Sequence, residues 1–286
     1  MDFDLGGAVS FVATHARVLD RRRLHYLLGE ESPEAVAGAL DAYRNADGGY
    51  GWALEPDLRS VTSQPVAAMH ALEVFAEVGD VGGRAVRLAD WLTACSLADG
   101  GVPFSLPFAD TGGSAPHWTG ADATVSSLQM TTQLAGHAHR AGLAGHPWLT
   151  GATEYCLTTL EAMTETPSAY ELMFSMRFLD AVAGDDPRAA GLLDRFAGFV
   201  RLDGPTEVAG TDGEVLYPLD FTPERGAPSR AVFSGDAVEA DLRRLAGQQQ
   251  PDGGWAVNFP AYSAAAAVEW RGYATVQAVT VLRVPA

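Results

Sequence analysis

The stretch Gln250–Trp255 reads Gln-Pro-Asp-Gly-Gly-Trp, and its Asp-Gly-Gly core occurs three times in the chain. The two earlier copies are Asp47–Tyr50 and Asp99–Val102. The first two copies are 52 positions apart, and the second and third are 153 apart, which is three times 51. Weaker matches, Thr150–Gly151 and Asp203–Gly204, stand at the two skipped positions. A fixed spacing of this kind indicates one duplicated unit used about five times.

Each unit is predicted to contain two helices joined through the glycine turn. Apolar residues recurring every three or four positions predict a first, amphipathic helix at Pro33–Arg44 and at Val238–Gly247. The glycines are expected to end it, because glycine adopts the left-handed conformation at little steric cost. A second and more apolar helix is predicted after an irregular loop, at Val66–Val78, Ala123–Ala138, Ala169–Ala183 and Thr275–Leu282.

The packing of these pairs decides the fold class. A helix pair cannot bury its apolar face alone, so neighbouring pairs must stack. An open solenoid would leave end faces that need caps, whereas a closed double ring would not. The second helices are apolar over much of their surface, as expected of an inner ring. We therefore expect an all-α, closed double ring forming one domain over residues 1–286, with Ala8–Leu28 supplying one or two further helices.

Composition narrows the function. Apolar residues make up 47% of the chain, which is enough for a sizeable core. The net charge of −17, with 36 acidic against 19 basic residues, disfavours nucleic acid and anionic lipid surfaces as partners. Every basic residue is Arg, so a lysine Schiff base and a Walker A phosphate loop are both excluded. We expect no bound cofactor.

Targeting and metal signals are weak in this sequence. The first residues lack the basic and long apolar regions of a signal peptide, and no stretch approaches the about 20 apolar residues of a membrane span. We therefore expect a cytoplasmic protein without stable membrane insertion. Cys95 and Cys156 stand in unrelated contexts and form neither a disulfide framework nor a zinc site. His137 and His139 are two apart, so they diverge on a helix, and we expect no metal.

The segment Leu245–Trp255, Leu-Ala-Gly-Gln-Gln-Gln-Pro-Asp-Gly-Gly-Trp, resembles the glutamine–tryptophan repeat of squalene-hopene and oxidosqualene cyclases. Two weaker copies, Tyr43–Tyr50 and Ser96–Gly101, lack the glutamine but keep the rest. The resemblance implies an α/α toroid of the terpenoid cyclase and protein prenyltransferase superfamily, with five or six helical hairpins around a central cavity. It also implies that Gln249 bonds the end of a neighbouring helix and that Trp255 packs across the joint between units.

The known catalytic sets of that superfamily do not occur here. The cyclases protonate an alkene with an Asp-x-Asp-Asp motif, and the nearest fragment, Asp185–Asp186, precedes a proline in a helix-capping arrangement. No Asp-rich helix is present to hold magnesium on a diphosphate. The last inner segment, Trp270–Val276, lacks the Cys and His that prenyltransferases use for zinc. The resemblance therefore implies a fold without naming a reaction.

A toroid would place its chemistry in the loops that lead into the inner helices. The first such loop carries Glu55 and Asp57, two apart on a segment stiffened by proline and flanked by Trp52 and Arg59, before Gln64. We interpret the two carboxylates as a catalytic acid and its orienting partner, with Trp52 and Gln64 at the substrate. The alternative is a structural turn in which the Asp caps and the Arg pairs.

Three other segments are predicted to line the cavity. Their aromatic rings could stabilise positive charge in a bound substrate. Plainer roles stay open: Asp122 as a helix cap, core packing for the second segment, and an ion pair between Glu269 and Arg271 in the third. The predicted substrate-binding residues are His117, Trp118 and Asp122 in the first, Tyr170, Glu171 and Phe174 in the second, and Trp270 and Arg271 in the third.

A long loop from Asp203 to Ser229 is rich in Gly, Pro and acidic residues. Loops of this length often act as lids or binding elements. Its Tyr217, Asp220 and Arg225 are candidates to cover the mouth of the cavity.

Three functions fit these residues. The first is a terpenoid-cyclase-like enzyme that binds an apolar, isoprenoid-like substrate and uses carboxylic acid chemistry at Glu55 or Asp57. The second is a carbohydrate-active hydrolase or lyase, because paired carboxylates beside aromatic platforms suit sugars as well. The third is a non-catalytic module that binds a lipid or a partner protein. A dry aromatic cavity would favour the first, a wet cleft with several carboxylates the second, and a filled centre the third.

Overall fold

The chain folds almost entirely into helices. The computed structural model describes residues 2–202 and 204–283, so the eroded repeat residue Asp203 lies outside the described residues. Helix accounts for 57% of the chain, well above the about one third of an average domain, which confirms the predicted all-α class. The described α-helices are α1 Leu5–His15, α2 Val18–Leu27, α3 Pro33–Leu40, α4 Pro65–Val78, α5 Arg84–Cys95, α6 Pro116–Thr119, α7 Leu128–Arg140, α8 Pro147–Ala162, α9 Ala169–Val182, α10 Arg188–Ala197, α11 Pro218–Phe221, α12 Gly235–Gly247 and α13 Ala264–Leu282. Short 3₁₀ turns occur at Asp41–Tyr43, Val81–Gly83 and Pro228–Val232, and β1 Thr206–Glu207 pairs antiparallel with β2 Val215–Leu216.

Several predicted helices have the expected bounds, and local capping explains why. α4 begins with Pro65, whose missing N–H costs nothing at the first helical position. α9 begins after a capping box, in which Ser168 Oγ accepts from the Glu171 N–H and the Glu171 side chain accepts in return. The N-terminal segment forms two helices, α1 and α2, where one or two were expected.

The helix predicted to begin at Ala123 starts five residues later, at Leu128. Its cap is Ser127, whose Oγ accepts from Met130 N at 3.2 Å. The role of Asp122 as a helix cap is therefore wrong. Its carboxylate instead closes a local turn by accepting from Thr124 N at 2.8 Å and from Thr124 Oγ1 at 2.6 Å.

The last inner helix was predicted from Thr275 and begins eleven residues earlier, at Ala264. Ser263 caps it, accepting from Ala266 N at 3.1 Å, and a run of alanines with high helix propensity follows. The segment Glu269–Gly272 is thus the middle of α13 and not a loop before it. α13 has 19 residues, and no described helix is both long enough and apolar enough to cross a membrane.

The Asp-Gly-Gly segments form the same turn three times. In each, the first glycine has a φ near +90° and the second donates its N–H to the preceding Asp carboxylate. The sequence predicted that the glycines end the preceding helix. This prediction is wrong, because that helix stops several residues before the turn in every copy. Thr150–Gly151 is no turn and lies inside α8. The closing backbone bonds run from Asn45 N to Gly49 O, from Leu97 N to Gly101 O and from Gln250 N to Gly254 O, at 2.8 to 2.9 Å.

Each turn packs directly against the backbone or side chains of an outer helix. A Cβ added at Gly100 would lie 2.6 Å from the Gly151 carbonyl oxygen in α8, and one at Gly253 would lie 2.1 Å from that of Gly7 in α1. A Cβ at Gly48 would lie 3.3 Å from the carbonyl oxygen of Arg87 in α5. The third turn therefore joins the end of the chain to its beginning.

Two side chains strengthen this last joint. The Gln249 amide accepts from Asp4 N and donates to Asp4 O, both at 2.7 Å, at the start of α1. Trp255 is buried, donates from Nε1 to Leu245 O at 2.7 Å and meets the Phe3 ring edge-on at 5.9 Å. Gln249 and Trp255 therefore both contact the segment that leads into α1.

The helices contact one another in an ordered series. α4 contacts α3, α5 and α7; α7 contacts α8 and α9; and α9 contacts α10 and α11. α11 contacts α12, α12 contacts α13, α13 contacts α1 and α2, and α2 contacts α3. The largest apolar cluster follows α3 to α10, and a smaller one joins α1 to α12 and α13 around Trp255.

We expect Gly253→Ala to destabilise the protein far more than Gly142→Ala. Both glycines have positive φ, 92° and 79°, so both variants carry the about 1–2 kcal/mol cost of a left-handed non-glycine residue. Only Gly253 faces backbone at the added Cβ, whereas Gly142 has open space, and overpacking adds about 1–3 kcal/mol. Urea unfolding measures both losses. Equal losses would show that the turn against α1 is not tightly packed.

Candidate functional site

The predicted acidic loop turns inward, and both of its carboxylates are buried. Trp52 and Ala53 adopt positive φ values of 55° and 57°, which reverses the chain before Glu55. Glu55 is only 4% exposed to solvent, and Asp57 is only 7% exposed. Glu55 Oε1 accepts from Asp57 N at 3.0 Å, so the loop also stabilises its own turn.

Glu55 meets a histidine that the sequence analysis did not single out. His70, in α4, places Nε2 at 2.9 Å from Glu55 Oε2 and Nδ1 at 3.5 Å from Glu73 Oε2. Burial alone would lower the pKa of His70, but hydrogen bonds and charge from the two carboxylates outweigh it and raise that pKa above its ordinary value. The imidazole is therefore held between two acids and favours its protonated form.

Glu73 is the most heavily bonded acid in the interior. Its Oε1 accepts from Arg23 Nη2 at 3.1 Å and from the Tyr273 hydroxyl at 3.1 Å, and it also accepts from the Gln277 amide. Arg23 bonds Glu77 as well, from Nε to Oε2 at 2.9 Å. Burial opposes ionisation of Glu73, yet Arg23 and His70 hold its pKa well below the usual range. Glu73 is thus a fixed anion that connects α2, α4 and α13.

Asp57 links the acidic loop to α13. Its Oδ1 accepts from Tyr262 N at 2.8 Å, and its Oδ2 accepts from Trp270 Nε1 at 2.8 Å. Both oxygens therefore have N–H donors from the segment that begins α13. This places Trp270 beside the acidic loop, with its ring centroid 6.0 Å from that of His70.

The arginines near this loop pair differently from the expectation. Arg59 does not bond either loop carboxylate and forms a two-point ion pair with Glu269, at 2.7 and 3.2 Å. The alternative pairing of Glu269 with Arg271 is wrong, because residues two apart on a helix point in different directions. Arg271 instead donates to Asp252 at 2.7 Å, at the third glycine turn and away from His70.

The opposite side of the interior is formed by α7 and α9. The His137 side chain makes no hydrogen bond to any described residue, and burial lowers its pKa to about 3. Arg177 donates from Nε to the Asp220 carbonyl oxygen at 2.7 Å. The charges of Glu73 and His70 act on His137, and those of Glu73 and Tyr273 act on Arg177, so these groups share one region. His137, Arg177, Tyr273 and Gln277 all stay partly exposed, which indicates that water reaches this polar interior.

Two predicted aromatic residues lie on the same face of α9 as Arg177. The rings of Tyr170 and Phe174 stack with centroids 6.0 Å apart, and the Arg177 guanidinium lies 5.7 Å from the centre of the Phe174 ring. The Tyr170 hydroxyl donates to Glu214. Glu171 is not part of this face, because its carboxylate bonds Ser168 in the capping box.

Of the first predicted cavity-lining segment, His117 and Asp122 line a separate, shallow cleft of about 580 Å³. The Trp118 ring stacks on Phe104 with centroids 4.8 Å apart, and His117 packs against Trp118 at 4.7 Å. Asp122 borders the cleft while bonding Thr124. None of these residues bonds the Glu55–His70–Glu73 group in the described structure.

Gln64 and Trp52 have structural partners outside the interior. The Gln64 amide is fully buried and bonds the Leu106 backbone twice, at 2.9 and 3.1 Å, which fixes the loop after the second glycine turn. The Trp52 side chain is exposed and donates from Nε1 to Asn45 Oδ1 at 2.7 Å. The structure thus brings Glu55, Asp57 and Trp270 together and leaves these two apart.

The long loop contributes to the interior through its backbone. The Asp220 carbonyl oxygen accepts a hydrogen bond from Arg177. The Asp220 carboxylate accepts from Tyr217 N at 2.7 Å, and burial raises the pKa of this carboxylate. The Tyr217 ring lies 3.6 Å from the Arg244 guanidinium, outside the polar interior. Arg225 is exposed. Only one of the three loop candidates therefore reaches the interior.

Sequence reasoning missed most of the interior polar residues, although one signal was present. α4 is apolar apart from three titratable residues at positions i, i+3 and i+7, a spacing that places them on one helical face. The other members come from distant helices and show no local pattern. The missed residues are Arg23, His70, Glu73, Glu77, His137, Arg177, Tyr273 and Gln277.

Residues 2–202 and 204–283 show neither a cluster of metal ligands nor an activated cysteine. No three His, Cys, Asp or Glu side chains gather there as a metal ion would require. Cys95 and Cys156 are free thiols, and burial raises the pKa of Cys95 to about 12. Neither sulfur approaches the thiolate character that nucleophilic cysteines need.

We expect Asp57→Asn to lower the free energy of unfolding by about 1–3 kcal/mol. Tyr262 N and Trp270 Nε1 donate to different oxygens of Asp57, and in Asn one of these oxygens is replaced by an NH₂ group that cannot accept. Asp110→Asn is the matched control, since Asp110 also accepts two hydrogen bonds, from Ser60 and Val61, but is exposed. Its loss should be smaller. Chemical denaturation measures both, and equal losses would mean that Asp57 does not anchor α13.

We expect His137 to make the protein less stable in acid. Its pKa of about 3 is depressed from an ordinary 6.5, so only the unfolded chain takes up this proton as pH falls below about 6.5. With partial solvation, this costs about 1–2 kcal/mol of unfolding free energy at about pH 5. His137→Gln should gain stability relative to the parent between about pH 8 and about pH 5, whereas His15→Gln, at an exposed site, should not. Parallel pH profiles for all three proteins would contradict this assignment.

Comparison with known proteins does not extend this description. No family model matches the chain, and no curated protein matches it. Function must therefore be argued from the geometry of the interior.

Proposed function

We propose that the helix pairs close into an α/α toroid with the polar interior at its centre. The series of contacts supports this, because it runs from α4 through α7, α9, α11, α12 and α13 to α2, and from α2 through α3 back to α4. The third glycine turn supports it too, since it packs the end of the chain on α1. Closure removes the exposed end faces of an open stack.

Within that ring, we propose an acid–base enzyme in which His70 transfers the proton. The observation that carries this proposal is the histidine held between Glu55 and Glu73 in an interior that water reaches. A positioned histidine with a carboxylate on one ring nitrogen is a common unit for proton transfer. Glu55 orients the imidazole through its 2.9 Å contact with Nε2. The contact between Nδ1 and Glu73 is longer, at 3.5 Å, so a substrate would displace Glu73 from Nδ1 more easily than Glu55 from Nε2.

Glu73 serves this unit as a permanent negative charge. Three donors fix it, and its pKa is held well below the usual range. It therefore stays ionised while His70 gains and loses a proton, and it stabilises the imidazolium form. Asp57 serves the site only by fixing its loop against α13, since both of its oxygens accept hydrogen bonds from Tyr262 and Trp270.

The polarity of the interior favours a hydroxyl-bearing, sugar-like substrate over a hydrocarbon. An isoprenoid chain placed against Arg177, His137 and Gln277 would strip water from polar groups without replacing its hydrogen bonds, at about 1–3 kcal/mol for each group. A hydroxylated substrate restores those bonds, and the stacked rings of Tyr170 and Phe174 offer it an aromatic platform. Cleavage of such a substrate, by hydrolysis or elimination, is the reaction that this site fits best.

The test is a turnover screen on oligosaccharides and polysaccharides, with reducing-end and unsaturated-product assays, beside squalene and prenyl diphosphates. We expect activity on a saccharide and a loss of about 10²-fold or more in kcat for His70→Gln, because general acid–base catalysis contributes about 10²–10⁴-fold. Glu55→Gln should lower kcat less and shift its pH profile. His25→Gln, at a surface histidine bonded to Glu30, is the control and should stay fully active.

Three outcomes would overturn the proposal. A folded His70→Gln variant with full activity would remove His70 from the chemistry. Turnover of an isoprenoid substrate but no saccharide would restore the hydrocarbon hypothesis. Saccharide binding without turnover, in parent and variants alike, would make the protein a non-catalytic binding module.

A further inference from the structure

Arg177 is a partly buried residue whose terminal guanidinium nitrogens have no partner in the part of the chain that the structure describes. Its Nε donates to the Asp220 carbonyl oxygen at 2.7 Å, and its plane lies near the Phe174 ring. Its two Nη groups form no hydrogen bond or ion pair with the residues that the structure describes. Their four N–H donors therefore have no acceptor among the described residues.

Other enclosed arginines are treated differently in this protein. Arg23 bonds Glu73 and Glu77, and Arg17 forms a two-point pair with Asp20 at 2.8 and 3.2 Å. Arg140, the neighbour of Arg177 on α7, forms an ion pair with Glu224 at 2.6 Å. Arg177 forms no ion pair with a described carboxylate, although the charges of Asp220 and Glu73 act on it, so an anionic ligand would complete the hydrogen bonds of its terminal nitrogens.

His137 adds a second unpartnered group to the same region. It lies on α7, which packs against α9, and the charge of Arg177 acts on it directly. As a neutral imidazole it has one N–H to donate, and no described residue accepts it. Arg177 and His137 thus offer a fork of donors and one further donor, a set suited to the oxygens of an anion.

We propose that Arg177, with His137, binds a single carboxylate group of the substrate and so anchors it beside His70. The charges nearby limit the ligand to one negative charge. Arg23 is already paired with Glu73 and Glu77, and the charges of Asp220 and Glu73 already act on Arg177, so these acids would repel a dianion or diphosphate. A planar carboxylate also matches the guanidinium fork in two parallel hydrogen bonds. The role as a substrate anchor rests on the proposed acid–base function, whereas binding of the carboxylate does not require turnover.

The test is calorimetric titration of the full chain with glucuronate and with glucose, which differ by a carboxylate in place of a hydroxymethyl group. We expect glucuronate to bind at least tenfold more tightly, and we expect acetate to compete with it. Inorganic phosphate and diphosphate form the two other arms. Binding of glucuronate should also raise the pKa of His137, followed by the NMR titration of its ring protons, because an adjacent oxyanion favours the imidazolium.

Variants separate this site from the catalytic one. Arg177→Gln should abolish the preference for glucuronate over glucose, Arg177→Lys should keep part of it, and Arg188→Gln, at a surface arginine paired with Glu154, should keep all of it. His70→Gln should keep the preference while losing turnover, so failure of the catalytic proposal and failure of this one are distinguishable. Should Arg177→Gln not fold, the Lys variant and the acetate competition carry the test. Equal affinity for the two sugars, tighter binding of diphosphate, or an unchanged preference in Arg177→Gln would each overturn the carboxylate site.

Discussion

The carboxylate of Glu73 is the interaction on which the interior depends. It is the point where α2, α4 and α13 meet, because Arg23, His70 and Tyr273 all bond it. These helices come from both ends of the chain and from its first third, so no local segment could form this contact alone. Breaking a buried ion pair by removing one partner costs about 3–5 kcal/mol, since the remaining charge is left without compensation. The network can therefore be lost as a whole but is hard to alter one residue at a time.

The same network determines the state of the proposed catalytic unit. Glu73 and Glu55 keep the pKa of His70 above its ordinary value despite burial. Glu55 reaches that position because its loop is tied to α13 through Asp57. Stability and chemistry are thus linked in one set of residues: the bonds that fix α13 against α4 also place an acid on each side of the imidazole.

The sequence predicted those features whose stabilising contacts lie between residues close together in the chain. The Asp-Gly-Gly turns follow from the positive φ of the first glycine and the short bond to the Asp side chain, both of which lie within five residues. The start of α13 was missed because its inward-facing residues, Trp270 and Tyr273, interrupt the apolar pattern with groups that bond elsewhere. The two carboxylates of the acidic loop, which the sequence singled out, are both buried. The partner of Glu55 was not singled out, because His70 reads as one polar residue in a long apolar helix.

The third Asp-Gly-Gly turn and the polar interior lie in different parts of the molecule, so the segment that resembles the cyclase repeat does not determine the side chains of the interior. Gly253 and Gln249 contact the start of α1 and no residue of the polar interior. Such joints fix how neighbouring helix pairs stack, and they place no demand on the side chains that point inward. In the proposed ring, such joints are compatible with an aromatic, dry centre or with a polar one that contains Arg177 and His137. The turns therefore bear on architecture, and the reaction has to be sought in the residues around His70.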